Sequence, residues 1–276
     1  MSQVFELRTR QVPESAAIEQ YLLFTNPGTL EIELVKLLGV SVKETSDPIG
    51  FFGTGLKYAM ATALRLGGSM TIITGSKRYE VRGQTITLRD KEFTQVTLNG
   101  EPLGFTTELG KQWEPWMVVR ELYSNALDEG GQTVVGRDDL VSVAHDGRTV
   151  IALQGQCFLD VWRDRSRHFL ALEQERAIVK SAYANAYLSP NSGNSVFYRG
   201  IRIHDTTMPT VYKYNLVDTV TLTEDRTLRY NWQMNEAIER TIISSTNRDF
   251  IYRCLTSGKG FHESSLTFTD SHAPVE

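Results

Sequence analysis

The chain has 276 residues, of which 41% are hydrophobic and 22% charged, and its 29 lysines and arginines against 33 aspartates and glutamates give a formal net charge of -4. This is enough apolar material for one full core, alone or with a smaller companion, and it excludes a disordered tail. The acidic balance argues against a protein whose main task is to coat nucleic acid, and Cys157 and Cys254, neither in a CxxC pair, argue against a disulfide framework or a cysteine-built zinc site.

In chain order, a short strand is expected around Val4 to Leu7, followed by a helix beginning near Pro13 or Ser15. Tyr21 to Gly28 is an apolar run closed by a turn, and Glu31 to Leu38 has helical spacing that ends at Gly39. The segment Gly50-Phe-Phe-Gly53-Thr54-Gly55 opens a second helix, Leu56 to Leu66, stopped by Gly67-Gly68. From Met70 to Phe105 the period changes to two, and MTIITG, RYEVRG, QTITLRD and TQVTLNG read as four short strands of an antiparallel meander. Pro115 opens a helix that runs through Trp116, Val119, Leu122 and Ala126 to Gly130-Gly131. Strands follow around Thr133 to Val135 and Thr149 to Leu153, then a charged helix over His168 to Ala186. Val196 to Ile203 and Val220 to Leu222 are strands, Asn231 to Ser244 is a helix, and the last 15 residues look frayed.

Strands and helices alternate throughout, which predicts an α+β two-layer sandwich with a mixed or antiparallel sheet and helices on one face. The SPNSGNS loop suggests a core domain over residues 1–190 and a strand/helix extension over 191–276, the latter possible as part of the same domain. No apolar stretch is long enough for a membrane span, and the first ten residues have no apolar signal core, so a cytoplasmic setting is expected.

Two segments carry chemistry. In Gly50 to Lys57 the glycines leave backbone amides uncovered before a helix start, an arrangement that holds polyphosphate with help from Lys57 or simply lets the helix pack closely. It is neither a GxxxxGK[ST] loop nor a GxGxxG turn. In the second segment, Glu121, Asn125 and Asp128 stand at i, i+4 and i+7, on one face of a helix. A carboxylate there can deprotonate water, an amide oxygen can ligate a hard cation, and the last carboxylate can fix a ligand or backbone; a solvated polar face is the plainer alternative. Among the five histidines there is no HExxH pair, and no GxSxG elbow occurs.

Together these segments resemble the Bergerat-fold ATPases, the superfamily of gyrase B subunits, MutL-type repair proteins, MORC proteins, sensor histidine kinases and related heat-shock chaperones. The motif ExxxNxxD(E/A) of that family is matched by Glu121-Leu-Tyr-Ser-Asn125-Ala-Leu-Asp128-Glu129, and its second glycine box by Gly50-Phe-Phe-Gly53-Thr54-Gly55-Leu56-Lys57. The resemblance implies ATP bound with Mg²⁺, Glu121 as general base, Asn125 as the Mg²⁺ ligand, Asp128 in the nucleotide site, and the glycine segment around the triphosphate. The motif order is inverted, since here the glycine box comes first, and this implies a circular permutation. Asn26-Pro27-Gly28 then takes the position of the adenine-reading DxG, with a neutral acceptor in place of aspartate and Leu30 in place of the second glycine.

Members of the family receive a lysine or arginine at the γ-phosphate from a following domain. Here Arg226, flanked by Glu224 and Asp225, either pairs with those neighbours or turns to phosphate, and internal pairing is the expectation; Lys259 is the other candidate. The implied activity is slow, Mg²⁺-dependent ATP hydrolysis driving a conformational switch on a protein partner or within a homodimer. The alternatives are an inactive scaffold that kept the fold, or an ATP-gated subunit of a nucleic-acid processing complex that relies on a basic partner.

Overall fold

A computed structural model describes residues 20–36, 54–137, 145–170, 176–189, 193–223 and 225–268, and the structural statements below concern these. The elements expected within residues 1–19, together with Gly50 and Gly53 of the glycine segment, lie outside the described residues.

Seven strands form one antiparallel sheet: β1 (Gln20–Pro27), β2 (Ser69–Gly75), β3 (Lys77–Leu88), β4 (Lys91–Leu98), β5 (Glu101–Thr106), β6 (Gln132–Arg137) and β7 (His145–Gln154). Their spatial order is β5-β4-β3-β2-β7-β1-β6. Alternation along the central strands sends Leu22, Phe24, Met70, Ile72, Ile151 and Leu153 into the main core, while Tyr21, Leu23, Ile73, Val150 and Ala152 form a smaller cluster with the opposite parity. The helix α1 (Ile32–Lys36) is a single short turn, while α2 (Gly55–Arg65), α3 (Pro115–Asp128) and α4 (Gln156–Arg163) contribute Met60, Val119, Leu122 and Phe158 to the main core. The architecture is two-layer α+β with helices packed on one face of the sheet.

The helix α3 has clear stop and start signals. Pro115 stands at its first turn, where a missing amide costs nothing. At the other end Gly130 adopts φ +68°, its N–H reaching Leu127 O at 3.0 Å while Gly131 N–H reaches Ala126 O at 2.7 Å, a paired C-terminal cap. The loop before α3 is pinned by Arg65, which donates to the carbonyls of Thr107 (2.6 Å), Leu109 (3.1 Å) and Gly110 (2.6 Å).

A second, mixed sheet comprises β8 (Val179–Lys180), β9 (Ala184–Leu188), β10 (Ser195–Tyr198), β11 (Ile201–Asp205) and β12 (Tyr212–Leu216), in the order β11-β10-β12-β9-β8. Its core is completed by α5 (Asn231–Ser244) and α6 (Arg248–Leu255) through Met234, Ile238, Ile242 and Phe250. This sheet takes its first two strands from before residue 190. A bridge between Phe169 and Ile201, both packed into the main core, joins the two sheets' units.

Several sequence expectations require correction. The charged helix over His168 to Ala186 does not form: Phe169 bridges to Ile201, and Val179 and Ala184–Leu188 enter the second sheet. The two segments RYEVRG and QTITLRD are one strand, β3, because Gly83 lies against Thr94 across the ladder and is not a turn. Val196 to Ile203 is a hairpin broken at Arg199-Gly200, both with positive φ. The strands β5 and β12 and the helices α4 and α6 had no counterpart in the expected elements. None of the described helices is long and apolar enough to cross a membrane.

At the junction of α3 and β6, a Cβ on Gly131 would lie 2.1 Å from Thr25 O and 2.9 Å from Ala126 O. Gly131→Ala is therefore expected to destabilise the fold by about 1–3 kcal/mol, read as a lower urea midpoint with an unchanged slope. An unchanged midpoint would show that α3 and β1 are not in this close approach.

Candidate functional site

The site grows from the contact between α2 and α3. Gly55, the first residue of α2, faces Glu121 so closely that a Cβ there would fall 2.0 Å from Oε1. Thr54 precedes it as the N-cap, with its carbonyl accepting from Lys57 N (2.9 Å) and Tyr58 N (3.2 Å). Leu56 packs on the main core, and Lys57 is 2% exposed, a burial that pushes its ammonium below the ordinary lysine range. The carboxyl end of the glycine segment and the middle of the carboxylate helix therefore meet, although about 65 residues separate them in the chain.

The stripe on α3 is not a solvated face. Glu121 is 2% exposed, and Asn125 and Asp128 are half-buried. Asn125 Nδ2 donates to Glu121 Oε1 at 3.0 Å, an i, i+4 contact that turns the Asn125 amide oxygen away from the carboxylate. Asn26, near the end of β1, donates from Nδ2 to Glu129 Oε2 at 2.6 Å, so its amide is likewise oriented by the motif helix. Gly28 follows with φ +86°, donating to Gly147 O at 2.9 Å.

Arg226 has a partner different from the expected ones. Its Nη2 lies 2.9 Å from Glu121 Oε1 and 2.8 Å from Oε2, in a pair whose side chains are 6% and 3% exposed. Of the two neighbours expected to hold it, Asp225 instead accepts from Trp113 Nε1 at 2.5 Å, and Glu224 lies outside the described residues. Arg226 sits at φ +53° in a tight turn where Arg226 N–H donates to Thr223 O (2.9 Å), and the adjacent Asp225 carboxylate is already taken by Trp113. Lys259 lies exposed beyond α6, and no hydrogen bond or ion pair among the described residues brings it to Glu121.

Four contributors went unread in the sequence. Arg120 is fully buried, and its Nη2 donates to Asp225 O at 2.5 Å while Nη1 lies 3.5 Å from Arg226 O. Burial, then the neighbouring Arg226 charge, pulls its guanidinium down to about 9, which leaves it charged at neutral pH. Trp113, stacked on Tyr58 at 5.0 Å, supplies the donor to Asp225. Thr74 and Thr149 both accept from Leu30 N–H, at 2.8 and 2.9 Å, and Thr149 donates to Gly28 O at 3.0 Å, tying the chain after β1 to two strands. Trp116 and Arg120 stand at i, i+4 on α3, a spacing the sequence carries, while Trp113 precedes the helix and the threonines gave no signal beyond ordinary strand alternation.

A second contact zone extends from Arg120. Trp116 lies under the guanidinium groups of Arg120 (4.8 Å) and Arg202 (4.6 Å) and stacks with His168 at 5.6 Å. Arg202 Nη1 approaches His168 Nδ1 at 3.1 Å, and Arg202 also pairs with Asp205.

Compared with protein-family models and with curated proteins, the chain gives no match.

Burial, followed by the Arg202 charge, pulls His168 from its ordinary 6.5 to about 4. The unfolded chain then binds the extra proton first, so stability is expected to fall as pH drops from 6.5 toward 4. Denaturant titrations across that window should show a weaker pH dependence in His168→Phe, which keeps a ring against Trp116. An equal slope in both proteins would show that His168 is not the group responsible.

Proposed function

We propose that this chain is a Mg²⁺-dependent ATP-binding protein that hydrolyses ATP slowly and acts as a conformational switch, on a circularly permuted Bergerat-like core. The observation that carries the reading is the convergence of Gly55 and Glu121, with a Cβ position on one 2.0 Å from the carboxylate of the other. Glycine is required at that contact whatever the loop does, and it sets the start of a helix beside a buried acid.

The ladder supports the permutation. Gln20, the first residue of β1, is partnered with Arg137, the last residue of β6. A hairpin joining those two ends would give the order carboxylate helix, β6, β1, Asn26-Pro27-Gly28, glycine segment, which is the family's order.

The residues suit Mg²⁺ and ATP by their donor chemistry. Asn125 offers a hard amide oxygen oriented by its own bond to Glu121. Among the described residues no three His, Cys, Asp or Glu side chains gather into a metal cage, so the ion's other ligands would be phosphate oxygens and water. When bound, Mg²⁺ neutralises charge that develops on the transferred phosphoryl group. Glu121 takes the proton of the attacking water, whose oxygen bonds to the γ-phosphorus as the bond to ADP breaks. The amino end of α2, at Thr54 and Gly55, would receive the phosphates, and Lys57, buried just after it, would add charge behind them. Asn26, its Nδ2 committed to Glu129, presents its oxygen to the base amino group.

A second reading has its own observation. The Glu121 carboxylate is engaged by Arg226, which suits a scaffold that has no need of a base. One experiment separates the two. Calorimetry with Mg²⁺-ATP, with GTP and ADP as controls, is run beside phosphate release from wild type and Glu121→Gln. Expected are Mg²⁺-dependent binding of ATP by both proteins and a drop in turnover of about a hundredfold in Glu121→Gln. Absence of binding at millimolar nucleotide would overturn the ATPase reading in favour of the scaffold.

A further inference from the structure

We propose that the turn bearing Asp225 and Arg226 is a latch on the hydrolytic site: Arg226 holds the Glu121 carboxylate in an ion pair, and Glu121 becomes available to water only when the turn moves off α3. The inference rests on the ATPase reading above and adds its regulation.

Trp113, Arg120 and Glu121 fasten the turn to α3 and the residues just before it, Arg120 also reaching the Arg226 carbonyl at 3.5 Å. Trp113 Nε1 donates to the Asp225 carboxylate at 2.5 Å, Arg120 Nη2 donates to the Asp225 carbonyl at 2.5 Å, and Glu121 accepts from Arg226 at 2.8 and 2.9 Å. The turn itself is a closed unit. Thr223 N–H donates to Thr227 O at 2.9 Å, the two threonine hydroxyls lie 2.8 Å apart, and Leu222 bridges to Leu228. What lies behind it belongs to the second sheet: Leu228 N–H donates to Ile203 O at 3.1 Å and Leu228 is buried in the second core. A displacement of that sheet's unit is therefore transmitted directly to Arg226.

The latched state is also incompletely satisfied. Arg226 Nη1 and Arg120 Nε are buried and have no hydrogen-bond partner among the described residues. An unmatched guanidinium donor in a buried site is costly, and it leaves Arg226 able to gain from an added acceptor. A phosphate oxygen arriving beside Gly55 competes with Glu121 for the guanidinium, which weakens the pair and lets the turn move off α3. The carboxylate that is released is then the one needed to accept the water proton.

The test uses the full chain, with wild type, Arg226→Ala and Arg226→Lys. Phosphate release at saturating Mg²⁺-ATP, calorimetric binding, and hydrogen exchange of the 220–229 segment with and without Mg²⁺-ATP are measured together. The latch predicts that Arg226→Ala raises turnover by roughly tenfold, that Arg226→Lys lies between it and wild type, and that nucleotide speeds exchange in the wild-type turn. Turnover that falls or stays level in Arg226→Ala, with binding kept, overturns the latch and shows that Arg226 serves the reaction or is idle in it. If Arg226→Ala fails to fold, wild-type exchange decides: a turn still protected with nucleotide bound overturns the latch alone. If calorimetry shows no Mg²⁺-ATP binding, the ATPase reading fails and the latch falls with it.

Discussion

The structure turns on one buried ion pair, Glu121 with Arg226, which crosses from the first sheet's unit to the second's over 105 positions of sequence. Taking two such charges out of water costs several kcal/mol per ion, an expense recovered only through close geometry and further hydrogen bonds. The surroundings meet that demand in part. Asn125 donates to Glu121, Arg120 and Trp113 hold the turn that bears Arg226, and the glycine at position 55 allows α2 to approach the carboxylate. A bulkier residue at 55, or a turn of different shape at 226, would leave a lone charge in a dry site.

The rest of the fold serves to hold α3 where this pair can form. Its apolar side, Val118, Val119, Leu122, Tyr123 and Ala126, is packed into the main core, and its end is capped so that β6 starts against β1. Its outer side meets the second unit through Arg120 and through Trp116, which lies under Arg202 and against His168. One helix thus carries three duties: core packing, the polar stripe, and the contact between units. This makes α3 the element through which the proposed site and the arrangement of the two units would influence each other.

How legible this was varies with the range of the interaction. The boundaries of α3 were readable because Pro115 and Gly130-Gly131 act within a turn of the helix, and the stripe Glu121, Asn125, Asp128 follows from helical period alone. The strands were readable where short β-branched, apolar runs lie between turn residues, as in β2 and β7, and misread where a glycine had a long-range reason, as Gly83 against Thr94. The segment after His168 has helical spacing and charge, yet pairing with Ile201 and with β12 overrides that preference. The helices α4 and α6 are eight residues each, too short for periodicity to announce them. For the candidate site, the chemistry of Glu121 and Gly55 could be read singly, but not their contact. The Glu121 partner of Arg226 was invisible because it lies 105 positions away in sequence, while the flanking acids suggested a local pair.

The most direct measurement is a double-mutant cycle on stability with Glu121→Ala, Arg226→Ala and the combined variant, each followed by urea denaturation. The pair described here predicts that each single change costs about 3–5 kcal/mol, since it strands a buried charge, and that the double variant is less damaged than the sum by about 3 kcal/mol. Additivity within roughly 0.5 kcal/mol would contradict it, and with it the claim that the two units are joined through the candidate base.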